Sequence, residues 1–248
     1  MNHAMKLFLL LILLSSSIYS TDYFDWIPVK VRTQRDGLKH WVRSEAYKDH
    51  HIGFKKEKIL PKTRFKNEQV LACFPKNLYG KESVDFSLMV LLYAPKWKQS
   101  TKTPILLIHG AGDNAFRAWV HPYVFETPVT VPSAQEGYMQ KFVRAGYPVF
   151  AINFSNNQGD NYCQAEQIHN AIAVIKRKTG ADKVNLIAHS KGNCAASIYL
   201  CGGKNFNPSY CNFISAYSND VNYYLQLGAA NKGIDLIYRY YAANLITL

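Results

Sequence analysis

From Val84 onward the chain is a succession of short apolar runs separated by segments with helical spacing. Phe86, Leu88, Val90 and Leu92 alternate within a stretch closed by Ala94-Pro95, which predicts a strand. Ile105 to Ile108 is continuously apolar and ends in His109-Gly110-Ala111-Gly112, the pattern of a buried parallel strand running into a tight loop. A helix is expected over 136–145, and Pro148 to Phe154 reads as a second buried strand entered through the Gly146-Tyr147 turn. Over 162–179, Ala165, Ile168, Ile172 and Ile175 share one stripe, Lys176, Arg177 and Lys178 fill the last turn, and Gly180 supplies the stop. Val184 to Ala188 predicts a third buried strand and Asn193 to Leu200 a helix after it. Strand, helix and strand in this order imply right-handed crossovers, hence an α/β fold with a mainly parallel sheet flanked by helices. Residues 21–82 show neither repeat nor sustained period and are expected to be irregular or short-stranded.

The first twenty residues follow a different rule. Lys6 precedes the apolar run Leu7 to Leu14, and Ser15, Ser16 and Ser17 follow. Eight apolar residues are too few to span a hydrocarbon core of about 30 Å and suit the apolar region of an export signal. Cleavage is expected near Ser17 to Ser20, with Met5 the more economical start; an uncleaved anchor is the alternative. The expected organisation is a leader at 1–20, a basic extension at 21–82 and an α/β domain at 83–248, in a secreted or periplasmic protein.

Composition narrows the class. With 48% hydrophobic, 14% aromatic and 19% charged residues, the 248-residue chain is too apolar for a disordered protein and too interrupted for a polytopic membrane protein. Its net charge is +12. Without residues 1–20, which contain one Lys and no acid, 28 basic residues face 17 acidic ones. Residues 21–100 hold 16 of the basic and 9 of the acidic residues, including the run Lys55 to Lys66. This balance suits solvated surface or an anionic lipid surface; no nucleic-acid motif accompanies it. Five cysteines in an exported chain make a disulfide plausible, and Cys201 with Cys211, flanking a Gly/Asn/Pro-rich stretch, is the first pair to test. No Cys-x-x-Cys pair or recognised His/Cys spacing supports a zinc site.

The residues with chemistry to offer lie at strand ends. Ala188-His189-Ser190-Lys191-Gly192 stands between the third predicted strand and its helix, the arrangement of a nucleophile elbow. The residues two before and two after the Ser approach closely and must be small, as Ala188 and Gly192 are. Ala in place of the commoner first Gly adds one methyl group. Ser190 is therefore the candidate nucleophile. A tetrahedral oxyanion needs two donors: one backbone N–H from the residue after the nucleophile, Lys191, and one from the glycine loop after the upstream strand, most simply Ala111.

Together PILLIHGAGDN, GYPVFAINF, KVNLIAHSKGN and LGAANKGID resemble the α/β-hydrolases of the class 2 lipase type over about residues 83–235. The resemblance implies hydrolysis of carboxylic esters, lipidic ones in the first place, without metal or organic cofactor. It also exposes a departure. These hydrolases order their triad Ser, then Asp or Glu, then His. Here all eight histidines precede Ser190, and Asp220 and Asp235 are the acids among the 58 residues after it. Three explanations compete. The chain is the front part of a longer hydrolase, its fold incomplete at the carboxyl end; or it is a non-catalytic binding protein on a hydrolase fold; or an upstream histidine, His109 or His121, serves as base. The remaining singled-out residues read as structural: Trp26, Trp41, Trp97 and Trp119 as packing, Asp113 and Asp160 as loop formers, and His169 as partly buried on its helix. Tyr238, Tyr240 and Tyr241 read as lining for an acyl pocket or a lid.

Overall fold

The computed structural model describes residues 23–51, 54, 68–75, 85–120, 136–202 and 215–230. Expectations placed on the leader, the Lys55–Lys66 run, His121, Cys211, Asp235 and the tail tyrosines lie outside the described residues. One seven-stranded sheet organises the rest: β1 (Lys30–Thr33), β2 (Arg43–Lys48), β3 (Leu88–Tyr93), β4 (Ile105–Ile108), β5 (Val149–Phe154), β6 (Val184–His189) and β7 (Val221–Leu227), in the order β1-β2-β3-β5-β4-β6-β7. β4 runs parallel to both β5 and β6, and β6 is parallel to β7. The β1–β2, β2–β3 and β3–β5 pairs are antiparallel, so the sheet is mixed.

Helices α1 (Glu68–Leu71), α2 (Ala115–Trp119), α3 (Tyr138–Arg144), α4 (Asn161–Thr179) and α5 (Lys191–Leu200), with a 3-10 turn at Gln34–Asp36 between β1 and β2, complete the described elements. The longest, α4, has the stripe its sequence predicts: Ala165, Ile168, Ile172 and Ile175 are fully buried. Asp160 caps its start by accepting the Tyr162 and Cys163 amides, and Gly180 ends it at φ 72, a left-handed value that glycine adopts without Cβ strain. Two cores follow. Under α4 and α5, one sheet face buries Leu106, Ile108, Ile152 and Leu186 with Ile172 and Ala195. The other face buries Leu107, Ala151 and Ile187 with Phe116, Trp119 and Met139 from α2 and α3.

β3 departs from its pattern. Alternation predicts one buried face, yet all six of its positions are buried, because β2 and β5 flank it and both cores cover it. β1 and β2 come from the segment without periodicity and extend the sheet. β2 reads as polar, RSEAYK, but its Glu45 is fully buried. That carboxylate accepts hydrogen bonds from the Tyr47 and Tyr93 hydroxyls, from Arg43 Nε at 2.6 Å and from Lys178 Nζ at 2.9 Å. Burial alone would raise its pKa; the four donors outweigh that and hold the carboxyl below the usual range. Trp41 and Trp119 are core residues, whereas Trp26 is 36% exposed with the Arg177 guanidinium 5.3 Å from its ring centre. Cys73, Cys163, Cys194 and Cys201 are thiols. Among the described residues no helix is long and apolar enough to cross a membrane, and no group of three His, Cys, Asp or Glu could hold a metal ion.

Candidate active site

In an α/β sheet, ligands bind where successive connections leave in opposite directions at the strands' carboxyl ends. That place here lies between β4 and β6. The chain leaves β4 toward β5 on one side and leaves β6 toward β7 on the other. Ile108 stands level with Ala188, so the two strands end side by side. The loops that follow them carry the glycine segment and Ser190.

Ser190 is the joint between β6 and α5, at φ 50 and ψ −125. A left-handed φ at a non-glycine residue costs on the order of 1–3 kcal/mol and persists only where its surroundings impose it. They do. Ser190 N–H donates to Leu227 O at 2.9 Å, and its carbonyl accepts the Asn193 amide at 3.0 Å. The Asn193 side chain donates to both Ser190 O and Leu227 O at 3.1 Å, and its Oδ1 accepts the Tyr224 hydroxyl at 3.1 Å. Asn193, fully buried, thus ties the corner to the end of β7. The side chain of Ser190 is half-buried and His189 is exposed.

Small flanking residues are a geometric necessity. Ala188 is fully buried, and a Cβ on Gly192 would lie 2.5 Å from His109 O and 2.9 Å from Ile108 Cγ2. The glycine loop is equally close: a Cβ on Gly110 would stand 2.9 Å from Ser190 Cβ. Within that loop the Gly112 amide donates to Asn157 O at 3.2 Å and the Asp113 amide, at a long 3.4 Å, to Gly110 O, while Ala111 is exposed. Asp113 accepts the Asn114 amide, in keeping with a loop-forming role, and Asn114 caps α2.

His109 is excluded as the base. It is buried, and its two ring nitrogens are both engaged: Nε2 accepts the Phe154 amide at 3.3 Å, which places the proton on Nδ1, 2.8 Å from Gly110 O as donor. Burial, aided by the Lys191 charge and opposed by Gly110 O and Asp113, pushes its pKa down to about 4, so it is a neutral ring that shapes its own loop. Asp220 is also structural. It lies immediately before β7, at the opposite end of the sheet from Ser190, and its carboxylate accepts the Tyr199 hydroxyl at 2.6 Å, with Lys176 Nζ 3.8 Å away. Lys191 reaches back over α4, donating to Gln164 Oε1 at 2.7 Å, and Gln164 in turn donates to Asn156 O at 2.8 Å. Sequence reasoning missed Asn193 and Tyr224 because each reads as an ordinary polar position on its element. Nothing along the chain marks either one, since the burial of Asn193 shows only in the fold.

A mixed sheet clad by helices on both faces, with a strained Ser at the strand-to-helix corner beside a glycine loop, defines the α/β-hydrolase fold. The chain matches the family model of class 2 lipases over residues 102–244, more than half its length, and belongs to that family. Among solved structures it is similar to the mature form of a Bacillus licheniformis lipase, at 19% identity and a TM-score of 0.41, covering 59% of this chain and 51% of that one. It is also similar to a putative lipase from Sulfolobus solfataricus, at 16% identity and TM-score 0.36, covering 48% of this chain and 38% of that one. A third likeness is to an inhibited esterase B from Lactobacillus rhamnosis, at 16% identity and TM-score 0.35, covering 60% and 46% respectively. The chain spans about half the length of the Bacillus lipase.

Proposed function

We propose that the protein hydrolyses carboxylic esters, lipid esters among them, with Ser190 as nucleophile and the Ala111 and Lys191 backbone amides as oxyanion donors. The observation that carries this reading is the contact between the corner and the glycine loop, with Gly110 so close to Ser190 that a side chain there would reach its Cβ. Membership of the lipase family supports the substrate class.

In this reading Ser190 Oγ attacks the acyl carbon, and charge gathers on the former carbonyl oxygen, which lies between the two amides. The N-terminus of α5 adds the positive end of its dipole to the same place. Collapse breaks the acyl–oxygen bond and expels the alcohol, which leaves with the proton given up by the Ser190 hydroxyl; the acyl group stays on Ser190 until water hydrolyses it to the carboxylic acid and restores the hydroxyl. Serine is a weak nucleophile without a base; His109 is excluded from that part by its two hydrogen bonds. The leader-like residues 1–20 support action outside the cytoplasm, and the basic excess of 21–100 supports work at anionic lipid surfaces.

The test compares hydrolysis of p-nitrophenyl butyrate and palmitate by the protein expressed from its own gene and by Ser190→Ala. The reading expects the variant to lose at least about a thousandfold in kcat/KM. Equal rates in the two proteins sink it.

A further inference from the structure

Of the eight large apolar or aromatic side chains exposed among the described residues, five fall between positions 23 and 31: Tyr23, Trp26, Ile27, Val29 and Val31. The edge of the sheet explains their grouping. Asp25 N–H donates to Lys48 O at 2.9 Å and Val29 N–H to Ala46 O at 2.8 Å, so a span of four residues faces a span of two on β2. The surplus bulges outward and leaves Ile27 81% exposed. Val31 pairs with Glu45 in the ladder, which puts Val31, and Val29 two positions before it, on the sheet face that carries α4. The last turn of α4 reaches Glu45 through Lys178, and the valines beyond it stay exposed.

Cations frame this strip. The Arg177 guanidinium lies 5.3 Å from the Trp26 ring centre and makes no ion pair among the described residues. Arg43 and Lys178 share the single carboxylate of Glu45, which is fully buried, so the face keeps a surplus of positive charge. The acids at its two ends are engaged: Asp25 Oδ2 lies 2.8 Å from His50 Nε2, and Asp36 accepts the Thr33 amide and hydroxyl beside the Arg32 charge. Between strip and helix an open cavity of about 270 Å³, lined by Trp26, Tyr47, Val174, Arg177 and Lys178, has room for a phosphate group against the Arg177 fork. A second copy pairing strand to strand suits this edge badly. β1 has only four residues and the bulge contains Pro28, and both features blunt an edge against strand addition. Exposed aliphatic and aromatic side chains flanked by cations are instead the make-up of segments that lie in the interface of an anionic bilayer.

We propose that this edge of the sheet docks on the surface of an anionic lipid bilayer. Ile27, Val29 and Val31 enter the boundary between headgroups and acyl chains, Tyr23 and Trp26 sit at headgroup level, and Arg177, held against Trp26, binds a lipid phosphate. β1 is the edge strand and Ser190 follows the sixth strand in the order of the sheet, so the docking surface is separate from the candidate site and stands without the ester-hydrolysis reading.

Flotation of the full chain with vesicles of ether-linked lipids, which hold no carboxylic ester to hydrolyse, tests it apart from any activity. Partitioning onto phosphatidylcholine vesicles with about 30% phosphatidylglycerol is expected to exceed that onto phosphatidylcholine alone at least about tenfold in about 0.1 M salt. The double variant Ile27→Ser, Val29→Ser lowers partitioning onto the anionic vesicles at least about tenfold. Arg177→Gln lowers it about fivefold and leaves the phosphatidylcholine value unchanged. Tyr223→Ser, on the opposite edge strand and equally open to solvent, leaves both values unchanged. Equal partitioning onto the two kinds of vesicle overturns the proposal, as does partitioning that survives the Ile27 and Val29 substitutions, the result expected if the apolar run at 7–14 were the part that binds. So does light scattering that shows a dimer which the double variant dissociates, with no vesicle binding by the parent, because the strip then belongs to a second copy. Melting curves of the variants that match the parent show that folded proteins are being compared.

Discussion

Replacing Gly192 with Ala probes the seam between β4 and α5 on which the candidate site depends. The added methyl would meet His109 O at 2.5 Å, Ile108 Cγ2 at 2.9 Å and Ile108 O at 3.0 Å. Two of these atoms are backbone at the end of β4, a strand paired on both edges, so no side-chain rotation relieves the clash. Overpacking of this kind costs about 1–3 kcal/mol. Ala regains up to about 1 kcal/mol of helix propensity near the start of α5. The net loss of about 1–2 kcal/mol lowers Tm by roughly 2–8 °C in a chain of this size. Relief must come from moving α5 away from β4, which widens the gap between Gly110 and Ser190; a misplacement of about 1 Å can cost on the order of a hundredfold in rate. Gly180→Ala is the control. Its φ of 72 makes Ala strained there, but nothing lies within 4 Å and it caps α4 far from the corner, so it lowers Tm without touching hydrolysis. Melting curves and p-nitrophenyl butyrate hydrolysis on both variants decide the matter. A Gly192→Ala protein that melts and hydrolyses like the parent refutes the close packing of strand end and helix.

Three more outcomes are expected. His109 is protonated in the unfolded chain near its ordinary pKa of 6.5 but only near 4 in the fold, so its contribution is fully present above about pH 6.5 and is lost as the pH falls toward 4. The loss reaches about 3 kcal/mol; urea unfolding at pH 7 and 4.5 should show His109→Gln losing less stability on acidification than the parent, and parallel losses contradict the neutral buried ring. Asn193→Ala removes the links to Ser190 O and Leu227 O and leaves the Leu227 carbonyl with one donor fewer, while the Tyr224 hydroxyl keeps the Asn193 carbonyl as its acceptor at 3.0 Å, for about 1–3 kcal/mol and a lower kcat with KM little changed; a pure KM effect contradicts its positioning role. Glu45→Ala strands Arg43, Lys178 and two tyrosine hydroxyls, costing about 3–5 kcal/mol in denaturant unfolding; a loss below about 1 kcal/mol shows the cluster to be solvent-screened.

The parallel half of the sheet was legible in the sequence because its signals are local. Ile105–Ile108, Pro148–Phe154 and Val184–Ala188 are short apolar runs between turn residues, and α4 has both its stripe and its glycine stop. The antiparallel half was not. β1 and β2 are four and six residues long, and β2 buries a charged residue whose partners Tyr93 and Lys178 lie 48 and 133 positions away, so no window along the chain could mark Glu45 as interior. Strand order is likewise nonlocal: that β5 inserts between β3 and β4 follows from how α2, α3 and α4 pack on opposite faces. At the corner, Ser190, Ala188 and Gly192 declare themselves by spacing. Asn193 does not, because a polar residue in a helix's first turn usually faces water. The His109 ring was open to two readings until Phe154, 45 residues on, was seen to donate to it.

The most direct measurement is mass spectrometry of the protein after reaction with a fluorophosphonate, which captures a serine activated toward acyl carbon. The account predicts a single adduct on the tryptic peptide containing Ser190, absent from Ser190→Ala together with ester hydrolysis. An adduct on another serine, with hydrolysis retained in that variant, contradicts it.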